Sequence, residues 1–309
     1  MSFPMIRIGI IVQLEYSGHP LPKPDSSAWT RFVLLSDTHA HIFPVPDGDV
    51  LLHAGDLTRH GTRRDLRRTM EWLYALPHPL KIIIAGNRDF ALDRPWYDVN
   101  WKRTQPKAEE PVWEPPDGIM TLLNGPRAVA ANVVYLQDEQ HKFRVREGGK
   151  EWSVFGSPKT PNFGTRVRAF GYNSVDSPAV VSTFPQTDIL LTHGPPHGVL
   201  DLTSQDTCAG CPALAARLPA LRPRLHAFGH IHEARGAYVH LWDGTRAGAL
   251  NAQNTGQLSG ETDDWEDAVD TIPAGAQTAF VNAANWPTGS NADRVGGQGV
   301  QPVVVDLLE

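Results

Sequence analysis

Short apolar runs that break into polar or glycine-rich residues recur along this chain, and they constrain its fold more than any other feature. The runs "RFVLLSD", "DVLLHAGD", "KIIIAGN", "NVVYLQD", "WSVFGSP", "DILLTHGPP" and "LHAFGHIH" have strand length and are rich in Val, Ile and Leu, so each reads as a buried strand. Between the second and third, "TRRDLRRTMEWLYALP" sets Leu66, Met70, Leu73 and Leu76 at helical spacing. Strand, helix, strand predicts parallel pairing with a right-handed crossover. Further on, "VVYLQDEQHKFRVREGGKEWSVFGSP" predicts strands joined by a tight turn at Gly148-Gly149, hence a second, partly antiparallel sheet. The runs "TAFVNAAN" and "QPVVVDLL" close the chain as two late strands.

Around this frame, residues 1–30 are expected to be a loose N-terminal segment, with Pro20, Pro22 and Pro24 among small polar residues. One domain is expected over 31–309. Within it, 243–276 reads as a surface insertion: Glu261, Asp263, Asp264, Glu266, Asp267 and Asp270 crowd a stretch poor in apolar residues. The apolar segment Ile6 to Val12 carries Arg7 and is too short for a membrane span or a signal peptide. No membrane and a cytoplasmic location are therefore expected. A net charge of -6 argues against a nucleic-acid partner, and Arg63, Arg64, Arg67 and Arg68 read as a solvated helix face. Cys208 and Cys211, spaced C-x-x-C, supply at most half of a structural zinc site and read as two thiols in a loop.

Several of the 13 histidines sit at the ends of apolar runs, which points to metal or acid-base chemistry. In open α/β sheets ligands sit beyond the carboxyl ends of strands. The residues there are Asp37, His39, Asp56, Asn87, His193, His230 and His232. Taken singly, the aspartates suit helix caps, the asparagine a turn, and any one histidine a structural hydrogen bond. Together they form an oxygen and imidazole set suited to manganese, iron or zinc. Asp37 and His39 share one side of a strand end, as do His230 and His232. With Asp56 as a bridging carboxylate, they make a site for two divalent ions about 3.5–4 Å apart, the arrangement of phosphoesterases.

"DTH", "GDLT", "GNRD", "THGPP" and "GHIH", in that order from Asp37 to His232, resemble the motif series of the calcineurin-like metallophosphoesterases. "GSPKTPNF", "THGPPHGVLD" and "RPRLHAFGHIHEARG" are similar to the branch of small metallophosphoesterase-domain-containing phosphodiesterases. The resemblance implies an α/β fold, a four-layer α-β-β-α sandwich of two mixed sheets, with a dinuclear metal site at strand C-terminal ends. It assigns Asp37, His39, Asp56 and His232 to one ion and Asp56, Asn87, His193 and His230 to the other. Manganese is the expected metal, with iron and zinc as the other fits.

One position departs from the family: Arg88 stands where the motif usually has a histidine proposed to protonate the leaving group or steady the transition state. Arginine keeps its proton, so it offers charge but no acid. Asp89 beside it is expected to orient the guanidinium, a plain surface ion pair being the simpler alternative. Lys159, Arg166 and Arg168 either approach a phosphate or form a solvated basic loop. His41 and His197 are candidates for supporting groups or a replacement acid, whereas His53 reads as a buried structural residue.

The expected function is metal-dependent hydrolysis of phosphodiesters, cyclic nucleotides or aryl diesters, through a metal-bound hydroxide, with a small phosphoester as partner. The diester preference rests on the branch resemblance alone. One rival is a catalytically weak or inactive metal-binding scaffold on the same fold, made plausible by Arg88. Another is hydrolysis of an amide or sulfate ester by the same ions. The sequence leaves the oligomeric state open.

Overall fold

The computed structural model of the chain describes residues 5–7, 9–24, 28–104, 115–162, 168–242, 276–286 and 301–309. A seven-stranded sheet contains β1 (Met5–Arg7), β2 (Ile10–Gln13), β3 (Trp29–Leu35), β4 (Val50–His53), β5 (Leu80–Ile84), β6 (Val133–Leu136) and β15 (Val303–Leu308), in the order β1-β2-β15-β3-β4-β5-β6. The strands β3 to β6 run parallel, while β15, β2 and β1 add on antiparallel. A six-stranded sheet contains β7 (Glu139–Arg144), β8 (Glu151–Ser157), β11 (Ile189–Thr192), β12 (Leu225–Phe228), β13 (Gly236–Leu241) and β14 (Gln277–Asn282), in the order β13-β14-β12-β11-β8-β7. Its four inner strands are parallel and its two edges antiparallel. A short parallel pair, β9 (Thr160–Pro161) and β10 (Gly171–Tyr172), stands apart.

Alternation along the strands builds the layers. In β3 and β4, Leu34 and Leu52 face the space between the sheets, where they meet Trp152, Val154, Ile189 and Leu225. Their neighbours Leu35 and Leu51 face outward with Ile83 onto α1 (Arg63–Ala75) and α3 (Pro116–Asn124) through Leu66, Met70, Leu73 and Leu123. On the far side, Phe155, Leu190, Phe228 and Phe280 pack on α5 (Ser177–Ser182) and α6 (Pro212–Leu221). Helix, sheet, sheet, helix is thus the observed order, completed by α2 (Arg94–Thr104) and α4 (Pro126–Ala130) beside the first sheet.

The structure bears out the hairpin at Gly148-Gly149, where β7 and β8 pair antiparallel and Gly148 takes a φ of 72°. In α1, Thr62 caps the first turn by accepting the Asp65 N–H at 3.1 Å; of the expected solvated face, Arg64, Arg67 and Arg68 are exposed and Arg63 is half-buried. The loose segment expected over residues 1–30 is corrected at two places. Met5–Arg7 and Ile10–Gln13 form β1 and β2, and β3 already begins at Trp29. Ile10 and Val12 are 2% and 1% exposed because β2 lies against β15 and turns its alternate residues into the sandwich. The apolar run from Ile6 to Val12 was a local sign of these strands, but what buries β2 is pairing with β15 at the other end of the sequence, which no local pattern reveals. The insertion expected at 243–276 lies, except for Ala276, outside the described residues.

Both sheets end at one rim. Ser36 and Ala284 bridge the ends of β3 and β14, and Asn285 reinforces the tie by accepting the Ser36 N–H through Oδ1 at 3.1 Å.

Candidate metal centre

Each candidate ligand leaves the rim just after a strand: Asp37 and His39 after β3, Asp56 after β4, Asn87 after β5, His193 after β11, His230 and His232 after β12. The structure brings all seven together from both sheets. The Asp37 Oδ1 lies 3.1 Å from His232 Nε2, which lies 3.4 Å from His39 Nε2. The His193 Nε2 is 2.9 Å from Asn87 Oδ1, and His230 Nδ1 reaches that oxygen at 2.9 Å from another side. Asp56 faces both groups, its Oδ2 4.0 Å from His39 Nε2 and its Oδ1 3.5 Å from His193 Nε2.

Backbone geometry makes this crowding feasible. Asp37, His39, Asp56 and His230 adopt φ values of 54°, 47°, 52° and 68°, left-handed conformations that non-glycine residues rarely adopt and that concentrate at functional sites. Two motif glycines allow the close approach. A Cβ on Gly86 would lie 2.4 Å from Asp56 Oδ1, and one on Gly229 would lie 2.1 Å from Asp37 Oδ2.

The imidazoles are aimed by what lies behind them. His39 and His193 hold backbone carbonyls through Nδ1, Thr58 at 3.1 Å and Ala54 at 2.9 Å, and His232 Nδ1 does the same with Trp286. A carbonyl can only accept, so each Nδ1 carries a proton; the Nε2 atoms of His39 and His193 are left to turn lone pairs inward, whereas the Nε2 of His232 faces the Asp37 carboxylate. Burial lowers the pKa of His39 to about 4 and that of His230 to about 3, which keeps both neutral. Burial also opposes charge on His232, but the Asp37 carboxylate outweighs it and raises that pKa to about 8. Asp37 is in turn held well below the usual carboxylate range, since the His232 contact prevails over its burial. Asp56 is pushed well above that range by burial and then by the Asp37 and Asp89 carboxylates.

This donor set fits divalent cations. Buried carboxylates and imidazoles converge here, and the upward shifts of His232 and Asp56 show that the cluster draws in positive charge, which bound cations supply in place of protons. Two overlapping groups, Asp37 with His39 and His232, and Asp37 with Asp56 and His193, keep their ligand atoms within 4.8 Å of one another.

A cavity of about 380 Å³ opens over the cluster. His39, Asp56, Asn87, His230 and His232 form its floor, and Arg88, Arg168, Glu233 and the Thr160–Pro161 strand its walls.

Residues 30–234 match the family model described as calcineurin-like phosphoesterase. The chain belongs to that family. It is 35% identical over 238 residues to metallophosphoesterase domain-containing protein 1 of Homo sapiens, a match that covers 74% of this chain and 66% of that protein. It is 34% identical over 233 residues to probable rhamnogalacturonate lyase C of Emericella nidulans, covering 72% of this chain but only 19% of the other. The chain thus spans less than two thirds of either relative's length. A crystal structure 11% identical in sequence shares the fold with a TM-score of 0.50 over 83% of this chain and 91% of its own.

Several candidates of this calcineurin-like chain sit elsewhere than expected. Asp89 does not orient Arg88. It is 1% exposed, and its carboxylate accepts the N–H groups of Leu57 (3.1 Å), Thr58 (2.8 Å) and Gly86 (2.8 Å) and the Thr58 hydroxyl (2.8 Å), clamping the loop after β4 to the loop after β5. Four donors in a closed turn outcompete one neighbouring guanidinium. His197 lies outside the cavity lining, exposed on the loop after β11, where its nitrogen groups with Asp201 and Cys208. Lys159 pairs with Asp138 at 3.0 Å, Arg168 reaches the cavity, and Arg166 lies outside the described residues. His53 is buried as expected, its Nε2 3.0 Å from Thr38 Oγ1. His41 stacks on Trp286 with ring centroids 3.5 Å apart. Sequence reasoning missed Glu233 and Trp286. Glu233 adjoins "GHIH" and its chain position alone was a usable signal, whereas Trp286 acts through a backbone carbonyl, which no side-chain type reveals.

Proposed function

We propose that this chain hydrolyses small phosphodiesters with two divalent metal ions, manganese being the first choice for an oxygen and imidazole ligand set. Membership of a family of metal-dependent phosphoesterases supports the general reaction. The observation that carries the reading is that the guanidinium-bearing Arg88 and Arg168 line the same cavity as the acceptor cluster. Asp37, His39, Asp56 and His232 would hold one ion, and Asp56, Asn87, His193 and His230 the other. When bound, the ions supply Lewis-acid charge for a phosphoryl group and lower the pKa of water.

The chain's own residues then divide the work. The backbone N–H of Arg88 donates to Asp56 Oδ1 at 2.7 Å and steadies that carboxylate, while its guanidinium, permanently charged, meets negative charge growing on the phosphoryl oxygens. It cannot act as a proton donor, so good leaving groups are favoured. Glu233 on the cavity wall repels a second negative charge. That favours a singly charged diester over a doubly charged monoester. A small phosphoester in the cytoplasm, with no nucleic acid, is the partner this reading takes.

The test is turnover of a bis-aryl phosphate and of the matching aryl monophosphate by manganese-loaded protein. Diester turnover should require the metal and exceed monoester turnover, and Glu233→Gln should narrow the gap. The second reading, a metal-binding scaffold, draws on Arg88 standing where a proton donor is expected. It gains if the protein binds metal yet turns over no phosphate, sulfate or amide substrate.

A further inference from the structure

A second group of metal-ligating side chains lies outside the cavity. His197, Asp201 and Cys208 each offer a ligand atom, and these atoms lie within 4.8 Å of one another. None of the three lines the phosphoester cavity. All belong to the segment between β11 and α6, which folds back on itself. Pro196 bridges to Cys211 and Leu202 to Cys208, the His197 N–H donates to the Cys211 carbonyl at 3.1 Å, and the Ala209 N–H to the Asp201 carbonyl at 3.0 Å. The backbone is therefore closed around the three side chains before any ligand arrives, which lowers the ordering cost of binding.

Asp201 is the fixed member. It is 2% exposed, and its Oδ2 accepts the N–H groups of Gly198 at 3.0 Å and Gly210 at 2.8 Å. Burial, and then the neighbouring Asp201 carboxylate, pushes the Cys208 thiol above its ordinary pKa. His197 and Cys208 are exposed, so the group opens to solvent on one side. Cys211 plays a different part: it is buried, and its sulfur accepts the Leu214 N–H at 3.3 Å to cap α6. The C-x-x-C spacing is thus no dithiol pair acting together.

We propose that His197, Asp201 and Cys208 form a separate zinc site with three protein ligands and a fourth position open to water. One thiolate, one imidazole and one carboxylate is a ligand set that zinc accepts and that magnesium and manganese do not favour. Binding forms a zinc–sulfur bond and releases the Cys208 proton to solvent, with no change in oxidation state. The bound ion would tie down the loop that follows His193.

Sulfur distinguishes this site from the cavity, whose ligand set contains none, so cobalt(II) is the probe. The full chain titrated with cobalt(II) should show a thiolate-to-cobalt charge-transfer absorption. That band should persist in Asp56→Asn, which disables the cavity cluster and leaves this site intact. It should vanish in Cys208→Ser and persist in Cys211→Ser. His197→Ala should weaken zinc binding, read in the Asp56→Asn background, by at least about tenfold, the loss expected even for an outer partner of a ligand. Cys208 and His197 are exposed, so these variants keep the fold, which circular dichroism checks. No band in the parent at saturating cobalt, or a band that survives Cys208→Ser, overturns the proposal. Neither result bears on the phosphoester cavity, whose activity is measured separately.

Discussion

His232 is held between Trp286 and Asp37: its Nδ1 donates to the Trp286 carbonyl, and its Nε2 stands 3.1 Å from Asp37 Oδ1. Trp286 is itself held by its ring, stacked 5° from parallel on His41. Trp286→Ala should therefore release the carbonyl that aims His232. Metal affinity is expected to fall about 10–100-fold, the usual cost of losing an outer partner. Equilibrium metal titration checks this, and His41→Ala should reproduce part of the loss. An unchanged affinity in both variants would show that the carbonyl keeps its place without the stack.

Asp56 presents one oxygen to His39 and the other to His193. Asp56→Asn should loosen both ions and cut turnover by about 10³-fold or more, the equivalent of several kcal/mol of lost charge stabilisation. Because burial and two neighbouring carboxylates already disfavour charge on Asp56, the variant should unfold no more easily than the parent when a chelator is present. His232→Ala should empty mainly one site. Full metal content and turnover in Asp56→Asn would end the two-ion reading.

Arg88 lines the cavity with a charge that cannot leave as a proton. Rates plotted against leaving-group pKa should fall steeply for the parent. General acid catalysis contributes about 10²–10⁴-fold, so Arg88→His should rescue poor leaving groups selectively, whereas Arg88→Ala should depress all substrates alike. A shallow parent slope that histidine leaves untouched would mean that another group supplies the proton.

Far from the site, Arg31 and Asp306 face each other across β3 and β15, with Nε to Oδ1 and Nη2 to Oδ2 both at 2.7 Å. Both are buried, so removing one partner strands a charge. Arg31→Met should cost about 3–5 kcal/mol in urea unfolding, and adding Asp306→Leu should recover most of it. A double variant as unstable as the single one would show that the arginine stem, not the charge pair, matters there.

Local information was enough for much of this protein. Apolar runs of strand length, the spacing of Leu66, Met70 and Leu73 in α1, and the glycine turn of the β7–β8 hairpin depend on near neighbours in the chain, so they were legible in order. The metal cluster was legible too, because parallel strands deliver whatever follows them to one rim, and Asp37, Asp56, Asn87, His193 and His230 follow strands. Tertiary structure decided what depends on distant partners. β15 joins the first sheet between β2 and β3 while β14 joins the second, a choice set by pairing across the length of the chain. Asp89 turned inward because four donors from two loop segments surround it, and His197 fell to a different cluster because the loop after β11 closes on Cys208 and not on the cavity. Residue type sets what a side chain can bind, but only packing, which excludes water and brings remote segments within bonding distance, decides which partner it meets.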